Sequence, residues 1–176
     1  MVRGINAGVD GFNRWSFTNR GDLDGQWQLV RTWDPDAGRL LDRFQPQANA
    51  YYQYAMLWRF TTKNSGVLAT RVDAPFGPGE RKLVAASLLG PRGALTVIAV
   101  NESEREAETA ITFEGLPAAV TLSRYAMTRA ERDRAAVDLL PQRKIEVSDV
   151  LTDRIPGMSI IVYSTYGLGA SDPGAL

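Results

Sequence analysis

The stretch Glu106-Ala107-Glu108-Thr109-Ala110-Ile111-Thr112-Phe113-Glu114 decides the fold class. Ala107, Thr109, Ile111 and Phe113 fall on one side of an extended chain, and Glu106, Glu108, Thr112 and Glu114 on the other. A period of two with one wet face marks a strand of an antiparallel sheet that packs on one side only. Upstream, Leu83 to Leu89 is apolar on both faces, and Gly90-Pro91-Arg92-Gly93 turns the chain into Ala94 to Asn101. Downstream, Val120 to Met127 and Met158 to Thr165 read as further strands, and Lys144 to Val147 as a weaker one. Thr128-Arg129-Ala130-Glu131 has the form of a capping box opening one helical turn. Short strands broken by turn signals predict an antiparallel β-sandwich over residues 67–166, with a frayed, flexible tail at 167–176.

Residues 1–66 have a different character. All the tryptophans, Trp15, Trp27, Trp33 and Trp58, lie here. Gly8 to Phe17 keeps no strict period in Val9, Phe12, Trp15 and Phe17, as expected of a strand buried on both faces. Thr18 to Gly25 is dense in loop formers. Gln26 to Trp33 alternates, with Trp27, Leu29, Arg31 and Trp33 on one side, and Asp34-Pro35-Asp36-Ala37-Gly38 closes it with a turn. Pro46 precedes a helix in which Ala48, Tyr51, Tyr54, Ala55 and Trp58 share helical spacing, and Lys63-Asn64-Ser65-Gly66 stops it. The Tyr51/Tyr54/Trp58 stripe reads as core packing. Strand, loop and helix make a single βα unit, which cannot bury both faces of its strand. The expectation is a mainly β chain, an antiparallel sandwich preceded by a strand–loop–helix remnant, that begins inside a larger fold.

Composition narrows the chemistry. The chain has 176 residues, 44% of them apolar and 23% charged, which suits a globular fold. Twenty basic residues balance twenty acidic ones, so no broad positive field invites nucleic acid. Arg129, Arg132 and Arg134 alternate with Glu131 and Asp133, as on a solvated charged face. No run approaches the roughly 20 apolar residues that cross a bilayer, and Met1 to Asn6 leads into no signal-peptide core. These features predict neither a nucleic-acid nor a membrane partner and leave the compartment open. Cysteine and histidine are absent, which removes thiol and Ser/His catalysis, disulfides and His- or Cys-ligated metals. Neither a cofactor nor a metal is expected; carboxylates, Lys, Arg and Tyr remain as chemical groups.

The run Ala7-Gly8-Val9-Asp10-Gly11-Phe12-Asn13-Arg14-Trp15-Ser16-Phe17, followed by Asn19-Arg20-Gly21-Asp22 and Gln26-Trp27, resembles the last barrel strand and its loop in clan-A retaining glycoside hydrolases, family 30 above all. The helix from Ala50 to Phe60 is similar to their closing helix. The resemblance implies a (β/α)8 barrel with a β-sandwich beside it, and hydrolysis of O-glycosidic bonds by two carboxylates. Those carboxylates end the fourth and seventh barrel strands, which nothing in this chain matches. The resemblance therefore implies residues 1–66 as the last βα unit, and a chain inactive by itself. The alternative is a non-catalytic sandwich module that binds glycan or another protein.

Candidate binding residues follow from the same placement. Trp15, near the carboxyl end of a barrel strand, offers an aromatic face to a sugar ring, or else packs in the core. Asn13 and Asn19 either hydrogen-bond hydroxyls or serve turns. Trp27, with Trp33, forms an aromatic shelf or covers the barrel rim. Asp22 and Asp24 flank Leu23 like the start of a calcium loop, but the other ligand positions are missing, so they read as turn-capping carboxylates. Carbohydrate is the expected partner of an intact parent enzyme. Exposed aromatics in residues 1–60 predict docking onto the sandwich or self-association.

Overall fold

The structure, a computed structural model, describes residues 1–12, 29–34, 36–72, 83–116, 118–132 and 139–167. In chain order the elements are α1 (Val2–Asn6), β1 (Val30–Asp34), β2 (Arg39–Pro46), α2 (Ala48–Phe60), β3 (Gly66–Leu68), β4 (Leu83–Leu89), β5 (Leu95–Asn101) and β6 (Ala107–Thr112). They continue with β7 (Val120–Met127), α3 (Arg129–Arg132), β8 (Arg143–Val147), β9 (Val150–Ile155) and β10 (Ser159–Ser164). The protein is mainly β, and every strand pairing among the described residues is antiparallel. A six-stranded sheet runs in the order β3-β4-β5-β10-β7-β8, while β1–β2 and β6–β9 form two-stranded sheets.

Both faces of the six-stranded sheet are covered, which is why its central strands read as apolar throughout. On one face, Leu95, Val97, Leu122, Ile161 and Tyr163 pack with Leu151 and Ile155 of β9 and with Ile111 of β6. On the other, Ala86, Ile98, Tyr125, Met127 and Val162 pack with Val2 and Ile5 of α1 and with Met56 and Phe60 of α2. Along β10, Ile161, Val162 and Tyr163 thus alternate between two cores, as a pleated strand requires. Strand β6 keeps the expected register: Ala107, Thr109, Ile111 and Phe113 are part-buried, and Glu108, Ala110 and Thr112 exposed. Turn chemistry holds as well. Asp34 Oδ1 accepts from the amides of Asp36 and Ala37, at 3.1 and 3.3 Å, in the β1–β2 turn. Glu131 Oε2 accepts from the Thr128 amide at 3.0 Å and opens α3 as a capping box.

Three expectations change. Gly8 to Phe12 is not strand but a helix exit. Gly8 sits at φ +77°, its amide donates to the Ile5 carbonyl, and the Val9 amide donates to that of Gly4. This is a Schellman stop, so Val9 and Phe12 stay exposed instead of buried on two faces. The remainder of that segment, 13–17, lies outside the described residues, as do the 18–25 loop and the tail from 168.

On α2 the buried stripe is Met56 and Phe60 with half-buried Tyr52, flanked by Ala55 and Leu57. The Tyr51/Tyr54/Trp58 stripe falls on another side of the helix, with Trp58 39% exposed. Helical spacing alone marks both stripes. Phe60, whose ring centroid lies 4.5 Å from that of Tyr125, fixes which one faces the sheet.

On β1 the buried positions are Val30 and Thr32, while Arg31 and Trp33 are half-buried, and the pairing with β2 shifts between Arg31 and Trp33. Arg31 and Trp33 therefore point away from the buried side. Among the described residues of the first sixty, Val2, Ile5, Met56, Leu57 and Phe60 dock on the large sheet.

Candidate functional site

Asn13, Trp15, Asn19 and Trp27 all lie outside the described residues, as do Asp22 and Asp24. The structure does place the segment that follows them. The Gln47 amide donates to the Leu29 carbonyl at 2.7 Å, which ties the start of α2 to the entry of β1. Leu29 is buried. Trp33, across from Leu40 on β2, accepts at its carbonyl from Arg31 Nε at 3.1 Å. Two aromatic pairs decorate α2: Tyr51 meets Tyr52 edge-on, and Tyr54 meets Trp58, each with centroids 5.3 Å apart.

One constellation of ionisable groups went unread in the sequence. Asp153 of β9 points inward with its side chain only 7% exposed. Its Oδ2 accepts from Arg124 Nε of β7 and from the Tyr163 hydroxyl of β10, both at 2.6 Å. Its Oδ1 accepts from Arg143 Nη2 of β8 at 2.6 Å and from the Arg154 amide at 2.8 Å. Arg124 also donates through Nη1 to the Gln142 side chain.

Burial alone raises the carboxyl pKa. The Tyr163 hydroxyl, the Arg124 guanidinium and the Arg154 amide outweigh it and hold Asp153 below the ordinary carboxylate value. Burial, and then the hydrogen bond to Asp153, push Tyr163 well above the usual phenol range. A carboxylate that already accepts on both oxygens, out of reach of solvent, has no lone pair poised for a substrate proton. The cluster is a clasp between the sheets. Residue type hid it: a carboxylate is rarely buried, although alternation in β9 (VLTDRI) puts Asp153 on the same face as buried Leu151 and Ile155.

Two concavities remain. A groove of about 1090 Å³ runs between β6 and the β3–β4–β5 side of the large sheet. Leu83, Ala85 and Val97 lie on its sheet side, Ile111 and Phe113 on its β6 side. A smaller cleft of about 480 Å³ lies beside Gln53, Glu102, Met127 and Met158. The described residues contain no cluster of three or more His, Cys, Asp or Glu side chains able to hold a metal ion. No helix among them is long and apolar enough to cross a membrane.

No family model and no curated protein matches the chain. Solved structures do. A family 30 xylanase C catalytic domain from Talaromyces cellulolyticus aligns with 80% of this chain and 28% of its own, at 16% identity and a TM-score of 0.55. A family 30 endoxylanase from Clostridium papyrosolvens aligns over 76% and 31%, at 14% identity and 0.53. An α-L-arabinofuranosidase from Thermotoga maritima aligns over 81% and 32%, at 15% identity and 0.53. The chain spans about a third or less of each of these proteins. At such identities the likeness is one of fold: this chain is built like part of those proteins.

Proposed function

We propose that this chain supplies the closing βα unit (1–66) and the β-sandwich (67–166) of a clan-A retaining glycoside hydrolase, with 167–176 a flexible tail. In this reading it takes part in cleaving O-glycosidic bonds of a carbohydrate, together with the barrel strands that carry the acid/base and the nucleophile. Trp15 and Trp27 stack on sugar rings, and Asn13 and Asn19 hydrogen-bond hydroxyls. The alignment of about four-fifths of the chain with a third or less of several such enzymes carries the reading. Retaining hydrolysis needs two carboxyl groups about 5 Å apart across the scissile bond. Among the described residues, the carboxylate held below the ordinary range is Asp153, and four donors already occupy it. The resemblance puts that pair on barrel strands that nothing in this chain matches, so in this reading the chain alone is silent.

The test compares xylan, aryl xylosides and aryl arabinofuranosides with the chain alone and with the chain fused behind a family 30 barrel that lacks its own terminal third. Turnover in the fusion and none in the chain supports the reading. Turnover by the chain alone, lost on Asp22→Asn or Asp24→Asn, overturns it.

A second reading, a non-catalytic module that binds glycan or protein, draws on the open groove beside β6. Retardation in xylan-containing gels by the chain alone would favour it.

A further inference from the structure

We propose that the chain forms a two-fold dimer in which β8 of one copy pairs antiparallel with β8 of a second, joining their large sheets edge to edge. The inference is independent of the glycosidase reading and rests on a sheet edge and on the order of charges along it.

β8 ends the six-stranded sheet and, among the described residues, pairs with β7 alone. That pairing runs from Val120↔Val147 to Arg124↔Arg143 without a shift, so the outer edge of β8 offers its backbone donors and acceptors in regular order. The chain that leads into β8 stays off this edge. Residues 139–142 enter at the end of the sheet where β7 closes, with Leu139 packed on the core under α1 and α2. There the Gln142 amide donates to the Arg124 carbonyl at 2.7 Å. The 133–138 link joins Arg132 to Leu139 at that same end, and about 20 Å of chain is too little to run down β8 and back. Past β8, residues 148–149 leave for β9 in the other sheet.

Charge order names the partner. On one face of β8, Val147 is buried and Ile145 half-buried in the core shared with β6 and β9, and Arg143 holds Asp153. Lys144 and Glu146 lie exposed on the opposite face, and neither makes an ion pair with a described residue. Their neighbours across on β7, Ser123 and Thr121, carry no charge. A two-fold axis normal to the sheet keeps each face on its own side, so the pairing slides only in steps of two residues. Centred on Ile145, it sets each Lys144 opposite Glu146 of the second copy, Arg143 opposite Val147, and Ile145 against itself. Centred one residue earlier, it would set Lys144 against Lys144; one residue later, Glu146 against Glu146. Lysine on an edge strand ordinarily bars pairing with an apolar strand. Here it admits a strand with an acid two residues along, which is β8 itself. Leu140, 68% exposed, precedes β8, and Val150, 46% exposed, follows it. Antiparallel pairing brings the Leu140 end of each copy to the Val150 end of the other. The contact is the same patch on both copies, so it closes at two chains. With five strand residues a side it is small and belongs among weak interfaces.

Sedimentation of the whole chain up to millimolar concentration tests this, with amide exchange at the two extremes. The expected result is a mass that rises from 19.3 kDa toward twice that value and no further. Amides of β8 that point away from β7 should exchange more slowly at the high end. Lys144→Glu and Glu146→Lys should each hold the mass at one chain, because each sets like charges opposite one another. An equimolar mixture of these two variants should sediment as dimers again, since every acid then meets a base. The double variant K144E/E146K should dimerise like the native chain, a pattern that damage to the fold cannot produce. A native chain that stays monomeric overturns the proposal, including one whose outward β8 amides are already protected at the lowest concentration because the chain covers its own edge. So does a mixture that stays monomeric, a dimer that survives either single substitution, or a mass that climbs past two chains.

Discussion

The hydroxyl of Tyr163 on β10 donates to the carboxylate of Asp153 on β9 at 2.6 Å, so the hydrogen bond crosses from the large sheet to the small one. Arg124 and Arg143 meet the same carboxylate from β7 and β8. This single aspartate therefore ties β9 to three strands of the sheet beneath it.

The clasp gives stability a stated pH dependence. Asp153 titrates lower in the folded chain than its ordinary 3.8, so its contribution is full above that value and is lost as pH falls through the folded pKa. Tyr163 titrates higher than its ordinary 10.0, so its contribution is full below 10.0 and is lost as pH rises beyond it. Urea midpoints across the pH range should show a plateau between these limits, with a limb on each side. Tyr163→Phe should remove the alkaline limb and cost about 1.5–3 kcal/mol on the plateau, the worth of a hydrogen bond to a charged group. Asp153→Ala should cost about 3–5 kcal/mol, because it leaves Arg124 buried without its partner. An alkaline limb unchanged in Tyr163→Phe would falsify the assignment.

Phe60 tests how far the first sixty residues belong to the core. Its ring covers Tyr125, beside Met127 and Val162. Phe60→Ala should destabilise the chain by about 3–5 kcal/mol, as for other buried aromatics cut to alanine. Removing residues 1–60 should go further, baring Ala86, Ile98, Tyr125 and Val162 together. The shortened chain should bind a hydrophobic dye and aggregate. A soluble, cooperatively unfolding 61–176 chain would mean that the strands suffice by themselves.

What the sequence disclosed, and what it hid, follows from how local each signal is. Strands β4 to β7 announce themselves because period-two patterns and turn residues lie within the segment. Thr128 and Glu131 could be read as a cap for the same reason. Two features depended on partners far along the chain, and a third was locally ambiguous. Asp153 shares the inward face of β9 with Leu151 and Ile155, but an aspartate there makes sense only once Arg124 and Tyr163 are seen beside it. The two stripes of α2 have equal periodicity, and only the contact of Phe60 with Tyr125 chooses between them. The Schellman stop at Gly8 competes with a strand reading because glycine and apolar residues serve both. Of the candidate site, only the residues that follow it, Leu29 to Trp33, can be placed. The assignment of Trp15 and its neighbours rests on resemblance.

Trp15 has a kinetic test in the barrel fusion described above. As a sugar platform, Trp15→Ala should raise KM for xylan while largely sparing kcat, because stacking on a substrate ring is uniform binding. Trp27→Ala should act in the same direction. If Trp15 is a packing residue instead, the thermal midpoint should fall while KM is unchanged.

Gly157 tests the turn that joins β9 to β10. A Cβ at this position would lie 2.3 Å from the Glu104 carbonyl oxygen and 2.5 Å from its carbonyl carbon, both backbone atoms. That loop cannot easily yield. The Met158 amide donates to the Ser103 carbonyl at 2.8 Å, and buried Asn101 donates to the carbonyls of Arg105 at 2.8 Å and Ile155 at 3.1 Å. Outside it, Arg129 grips Glu104 through both carboxylate oxygens. Gly157→Ala should therefore cost about 1–3 kcal/mol through overpacking, lowering the thermal midpoint by about 2–4 °C for each kcal/mol. Two other glycines separate crowding from conformation. Gly93 has open space around it but sits at φ +75°, so Gly93→Ala should cost about 1–2 kcal/mol through backbone strain alone. Gly167 has neither a near neighbour nor a positive φ, so Gly167→Ala should leave the midpoint in place. Equal loss at all three positions would show that the close approach of Gly157 to Glu104 does not limit stability. The predicted order, with Gly167 silent, would show that it does.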